Sequence, residues 1–165
     1  MAKLSAPSLA ATLLVAVMIL SGGCSDRHGT PVTAEVPHKH EHKPPHGGTP
    51  VVLGEEVYHV ELVADAAAGK LQAFVFDGEL ENFIRSSVPS FEVTATVDGT
   101  PRTHVFNAVP NPATGETVGD TSLFETSADW LKTTRAFDAT LKSITIRGTT
   151  FADVKFNFPK GNDKD

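Results

Sequence analysis

His38, His40, His42 and His46 lie within the twelve-residue stretch PHKHEHKPPHGG, with Glu41 among them, in a chain that has only seven histidines. Neutral imidazole is a ligand for Zn²⁺, Cu²⁺ and Ni²⁺, and the usual affinity order favours copper. His38, His40 and His42 stand at alternate positions. In an extended chain they share one side; in a flexible chain they can fold around one ion, with Glu41 adding an oxygen. Three effects oppose this. Ordering a flexible segment costs entropy, the ligands titrate near neutrality, and Lys39 and Lys43 repel a cation. The plainer reading is a polar spacer whose histidine content is compositional.

A second group is His46 with His59 and Glu61. The last two are two residues apart in YHVELV, so on a strand they project from one face. If HGG lies beside that strand, two imidazoles and a carboxylate make a facial metal set. Alternatively, His59 and Glu61 are the solvent face of an amphipathic strand. His104, on a predicted return strand, reads as structural or exposed, and His28 has no clear partner. The acidic run Asp77, Glu79, Glu81 lacks the spacing of an EF-hand loop and reads as a solvated turn. The lone cysteine, Cys24, excludes an internal disulfide and a Cys-rich zinc site. There is no GxSxG, HExxH or P-loop, and no spacing joins Ser, His and Asp into a triad. The expectation is a non-enzyme.

The elements that must carry these residues begin with an export signal. Lys3 supplies a positive start, residues 4–23 carry no charge, SLAATLLVAVMIL is an apolar core, and Ser21-Gly22-Gly23 is a small-residue stretch. This is the layout of a secretory signal peptide. LSGGCS resembles the lipobox of bacterial lipoproteins, in which the cysteine is lipidated and becomes the mature N-terminus. Ser21 stands where a Leu is usual, and Leu20 is one place early. The resemblance implies a signal peptide over 1–23 and a membrane-anchored lipoprotein facing the periplasm, held through Cys24. Otherwise the segment is cleaved elsewhere or kept as an anchor, being long enough to span a bilayer.

The whole chain has 14 Lys and Arg against 20 Asp and Glu, a formal charge of −6; removing residues 1–23 takes only Lys3 and leaves −7. A net-acidic chain without a Lys/Arg run is no nucleic-acid binder. Residues 24–45 hold Pro31, Pro37, Pro44 and Pro45, many charges and no apolar periodicity. They read as a disordered, His-rich linker after the lipid anchor.

From Thr49 onward the pattern is short strands. Tyr58, Val60 and Leu62 alternate with Val57, His59 and Glu61. In KLQAFVFDG, Leu71, Ala73 and Val75 oppose Phe74 and Phe76. FEVTATVDG places Phe91, Val93, Ala95 and Val97 inward, and Asp98-Gly99 is a hairpin signal. Residues 109–120 are a Pro/Gly-rich loop. A short strand over 122–126 follows, then one helical turn capped by Ser127. ATLKSITIRG and TFADVKFNF are the last strands, and residues 159–165 read as a polar tail. Seven or eight strands with little helix imply an all-β domain over 46–158. The expected architecture is an antiparallel, immunoglobulin-like β-sandwich.

HGGTPVVLGEEVYHVELVAD…GKLQAFVFDG, with the later Gly119-Asp120-Thr121-Ser122-Leu123-Phe124, resembles two groups of proteins. One is small lipoproteins of planctomycete type. The other is the HGG…YHxELV N-terminal domain of some periplasmic adaptor subunits of heavy-metal efflux systems. No coiled-coil hairpin pattern accompanies it, so the resemblance implies an isolated accessory domain. It implies metal handling, with His46, His59 and Glu61 among the ligands, and an envelope protein or efflux component as partner. The resulting expectation is a membrane-tethered, non-catalytic periplasmic module that binds or buffers Zn, Cu or Ni. The alternative is a structural or protein-interaction β-sandwich that offers a sheet edge or the 109–120 loop to an envelope partner.

Overall fold

The computed structural model describes residues 43–163. The expected signal segment over 1–23, Cys24, His38, His40 and His42 lie outside the described residues. Eight strands run in chain order: β1 (Thr49–Leu53), β2 (Tyr58–Asp65), β3 (Lys70–Asp77), β4 (Ser90–Val97), β5 (Thr100–Ala108), β6 (Leu123–Ser127), β7 (Phe137–Ile146) and β8 (Thr149–Phe158). Two short 3₁₀ turns, Pro112–Thr114 and Asp129–Lys132, are the only helical elements among the described residues. No described helix is long and apolar enough to cross a membrane.

All pairings are antiparallel, and the strands form one sheet in the order β1-β2-β3-β6-β5-β4-β7-β8. The all-β, antiparallel expectation holds. The division into two sandwich sheets does not: the sheet is single, nearly closed and barrel-like. The connection the sequence hides is β6. It pairs with β3 along its length and with β5 at Asn107–Glu125 and Ala108–Phe124, joining the two halves. At the far ends β8 approaches β1. There the side-chain amide of Asn162 accepts from Val52 N at 2.7 Å and donates to Val52 O at 3.1 Å, standing in for a strand partner. Residues 161–162 are therefore part of the barrel seam rather than a solvated tail.

The interior follows the expected parity. Val51, Val60, Leu62, Leu71, Ala73, Val75, Phe91, Val93, Ala95, Phe106, Phe124, Leu141 and Ile146 are all buried in one core. The hairpin turn at Asp98-Gly99 has both residues at positive φ, 50° and 74°, as a type I′ turn requires. Two details depart from the sequence reading. The helical turn is preceded by Ala128, which makes no side-chain cap, rather than capped by Ser127. The register shift between Glu92 and Val93 against β7 marks a bulge. Beyond it Ile144 and Ile146, not Ser143, face inward, and Phe151, opposite Ile144, packs on the core.

Candidate functional site

The strand carrying His59 and Glu61 is buried on both faces. Val60 and Leu62 point into the core, and His59 and Glu61 are each 0% exposed. The solvent-face reading is thereby corrected. The antiparallel register sets Glu61 beside Phe74 and His59 beside Phe76 on the outer face of β2 and β3. Two segments supply the residues over this face. One is the HGG segment before β1. The other is the loop after β3, which contributes Phe83 and a buried Leu80.

An isolated buried carboxylate is costly unless charge-assisted hydrogen bonds replace its water. Glu61 has three. Oε1 accepts from His46 N at 2.9 Å and Gly48 N at 2.8 Å, and Oε2 meets Nδ1 of His46 at 2.7 Å. The local sequence permits this. Gly47 N donates to Pro44 O, closing a turn in which Gly47 takes φ +67°. Gly48 lies so close to β2 that a Cβ there would stand 2.5 Å from Leu62 O. The His46 ring is stacked on Phe74 at 4.1 Å and 17°, and also lies near Phe76 and Phe83. His59 is turned elsewhere: its Nδ1 donates to Asp77 O at 3.3 Å.

HGG thus does lie beside the YHVELV strand, and His46 meets Glu61. The three-ligand metal set does not assemble. Among the described residues no group of three or more His, Cys, Asp or Glu side chains is placed to hold a metal ion. The reason is that Glu61 spends its oxygens on the HGG backbone and on His46, while His59 faces the β2–β3 backbone. His38, His40 and His42 fall outside the described residues.

Sequence reasoning missed two other arrangements. The 109–120 loop is stapled rather than loose. Glu116 accepts from Asn111 N, Thr121 Oγ1 and Ser122 Oγ, while Arg85 donates to Asp120 Oδ2 at 2.9 Å and to Thr114 O at 2.6 Å. Burial pushes the Glu116 carboxyl up, but these hydrogen bonds outweigh it and hold the group below its ordinary range. The Gly-x-x-Ser-x-Phe element has a structural account here, since Ser122 binds Glu116 and Phe124 fills the core. A groove of about 350 Å³ runs between this loop and β3, lined by Phe74, Phe83, Arg85, Glu116 and Leu123. The second arrangement is the Trp130 Nε1–H donating to His104 Nε2 at 3.0 Å. Burial, then the charge of Arg102, lowers the His104 pKa. Asp77, read as a solvated turn residue, caps its own loop through Glu81 N and Asn82 N.

Comparison with protein-family models, with characterised proteins and with solved structures finds no match to this chain.

Proposed function

We propose that this chain is an exported, membrane-tethered, non-catalytic module of a bacterial envelope, facing the periplasm, that binds or buffers divalent transition metal ions. The lipobox-like LSGGCS and the preceding apolar segment support the tether at Cys24. One observation carries the metal reading: four of the chain's seven histidines fall in the twelve residues that lead into the domain. The burial and engagement of Glu61 and His59 remove those two from the ligand set, so metal capture belongs to His38, His40 and His42. The HGG…YHxELV resemblance supports a link to metal efflux, with an efflux component as partner.

Calorimetric titration of the chain with Zn²⁺, Cu²⁺ and Ni²⁺, repeated on a His38→Ala/His40→Ala/His42→Ala variant, tests this. The expected result is binding tighter than about 1 mM that the triple variant weakens by about tenfold or more. Absence of such binding in the parent chain sinks the reading.

A second reading has its own support. Phe83 is 54% exposed and lines the groove with Phe74 and Leu123, and Val118 projects from the stapled loop at 62% exposure. An exposed aromatic beside a rigid loop suits a protein-interaction domain of the envelope, with no metal role. Crosslinking from position 83 in cells distinguishes it. A discrete envelope partner, captured with unchanged yield when metal is chelated, favours this reading over metal binding.

A further inference from the structure

We propose that the groove beside Phe83 docks a basic segment of a partner protein, with an arginine side chain of that segment lying on the Phe83 ring. This rests on the protein-interaction reading above, gives its partner a chemistry and involves no metal.

Phe83 is exposed but not loose. Its backbone bridges to Phe76, and the next residue, Ile84, donates its N–H to Val75 O at 2.9 Å. Its ring stacks on the buried Phe76 at 4.6 Å and 29°. The loop that leads to it is closed by Asp77, whose Oδ1 accepts from Glu81 N and Asn82 N. The side chain nevertheless stays 54% exposed. A ring that is fixed from behind and wet in front loses little freedom when something stacks on it. The groove of about 350 Å³ that it lines has Phe74 and Leu123, opposed across β3 and β6, as further apolar walls.

Charge selects the occupant. Between Lys70 and Arg85 the chain carries Asp77, Glu79 and Glu81 and no basic residue, and Glu79 and Glu81 are exposed. Glu116 lines the groove, and Asp120 is tied to it through Arg85. The Arg85 guanidinium is already answered: it donates to Asp120 Oδ2 and Thr114 O, and its Nε lies 3.8 Å from Glu116 Oε1. Glu79, Glu81, Glu116 and Asp120 against this one cation leave the rim acidic. An apolar partner would desolvate those carboxylates without pairing them, and an acidic one is repelled. A cation over an aromatic face is attracted by the ring quadrupole. Guanidinium suits the place better than ammonium, because it is flat, stacks on rings, sheds water more readily and can donate to carboxylates at the same time.

The test uses the full-length chain in detergent with a chelator present, so that metal plays no part. The probe is the peptide acetyl-Gly-Arg-Gly-Arg-Gly, with lysine and glutamate counterparts. The arginine peptide is expected to shift the ring resonances of Phe83 and Phe74 selectively, the lysine peptide to bind more weakly, and the glutamate peptide not to bind. Phe83→Ala should weaken arginine-peptide binding by about tenfold, and the surface double variant Glu79→Lys/Glu81→Lys by a similar factor. The shifts are read on the parent chain, so they decide the matter even if a variant does not fold. No response overturns the inference. So do shifts scattered over the acidic surface and unchanged in Phe83→Ala, which mark non-specific attraction, and so does equal binding of the glutamate peptide. Capture of an envelope partner from position 83 together with any of these results leaves the interaction reading standing without its basic partner.

Discussion

Nδ1 of His46 lies 2.7 Å from Oε2 of Glu61, fifteen residues further along the chain. Together with the two backbone donors on Oε1, this contact is what allows a carboxylate to sit fully buried under the first turn of the domain. Removing the acceptor strands two backbone N–H groups and the imidazole. Glu61→Ala is expected to lower unfolding stability by about 3 kcal/mol, and His46→Ala by about 1 kcal/mol because its ring is partly solvated. Urea unfolding followed by Trp130 fluorescence measures both. Equal losses in the two variants would contradict the asymmetry.

Gly48 is the other half of this clamp. A Cβ there meets Leu62 O at 2.5 Å, Val63 Cγ2 at 2.8 Å and Glu61 Cγ at 3.0 Å, two of them on the β2 backbone or its stiff branched side chain. Gly48→Ala is expected to cost about 2 kcal/mol. Gly99→Ala offers a contrast: its Cβ meets nothing within 4 Å, and only its φ of +74° is unfavourable. It should cost about 1 kcal/mol. Thermal melts of the two variants check the order.

His104 provides the acid side of the stability profile. Its Nε2 accepts from Trp130, so the folded state favours the neutral ring, and burial followed by Arg102 lowers the pKa. As pH falls below the ordinary value of about 6.5, the unfolded chain takes up its proton first. Stability is then full above that value and declines as pH falls through the folded pKa. His104→Gln, which does not titrate, should flatten that part of the profile. A slope that persists unchanged in the variant would assign it elsewhere.

Glu116 acts in the same direction at lower pH. Its folded pKa lies below the ordinary 4.5 because hydrogen bonds from Asn111, Thr121 and Ser122 outweigh the cost of burial. Its contribution is present above that value and is lost as pH falls through the folded pKa. Glu116→Ala should release the 109–120 loop while leaving the sheet intact. Hydrogen exchange at Asn111 and Glu116 amides, both bonded within the loop, is expected to quicken by about tenfold or more, with the β4–β5 hairpin unchanged.

The Asn162 side chain bridges the barrel seam. Asn162→Ala removes both hydrogen bonds to Val52 and bares the outer edge of β1. A loss of about 1 to 2 kcal/mol is expected, with an increased tendency to associate through that edge. Calorimetry and light scattering on the same samples read the two effects.

Much of the strand layout was readable from alternation. The β4–β5 hairpin was legible because Asp98-Gly99 encodes a local turn, and the parity of Phe74, Phe76, His59 and Glu61 was legible because strand side chains alternate whatever surrounds them. The clamp was half legible. HGG and YHVELV could be placed side by side, but the direction each side chain takes could not be known.

The sequence by itself determined the segmentation, an all-β chain of seven or eight short strands, the alternation of side chains along them and the clustering of histidines before Gly47. These follow from periods and turn chemistry that act over a few residues. Only the tertiary structure decided that one sheet nearly closes instead of two sheets stacking. It likewise placed Trp130 on His104 and buried the polar face of β2. A polar residue on a strand reads as solvated until distant partners cover it. Glu61 is covered because backbone donors thirteen and fifteen residues away converge on it, and the same convergence turns it from an apparent ligand into the support of His46.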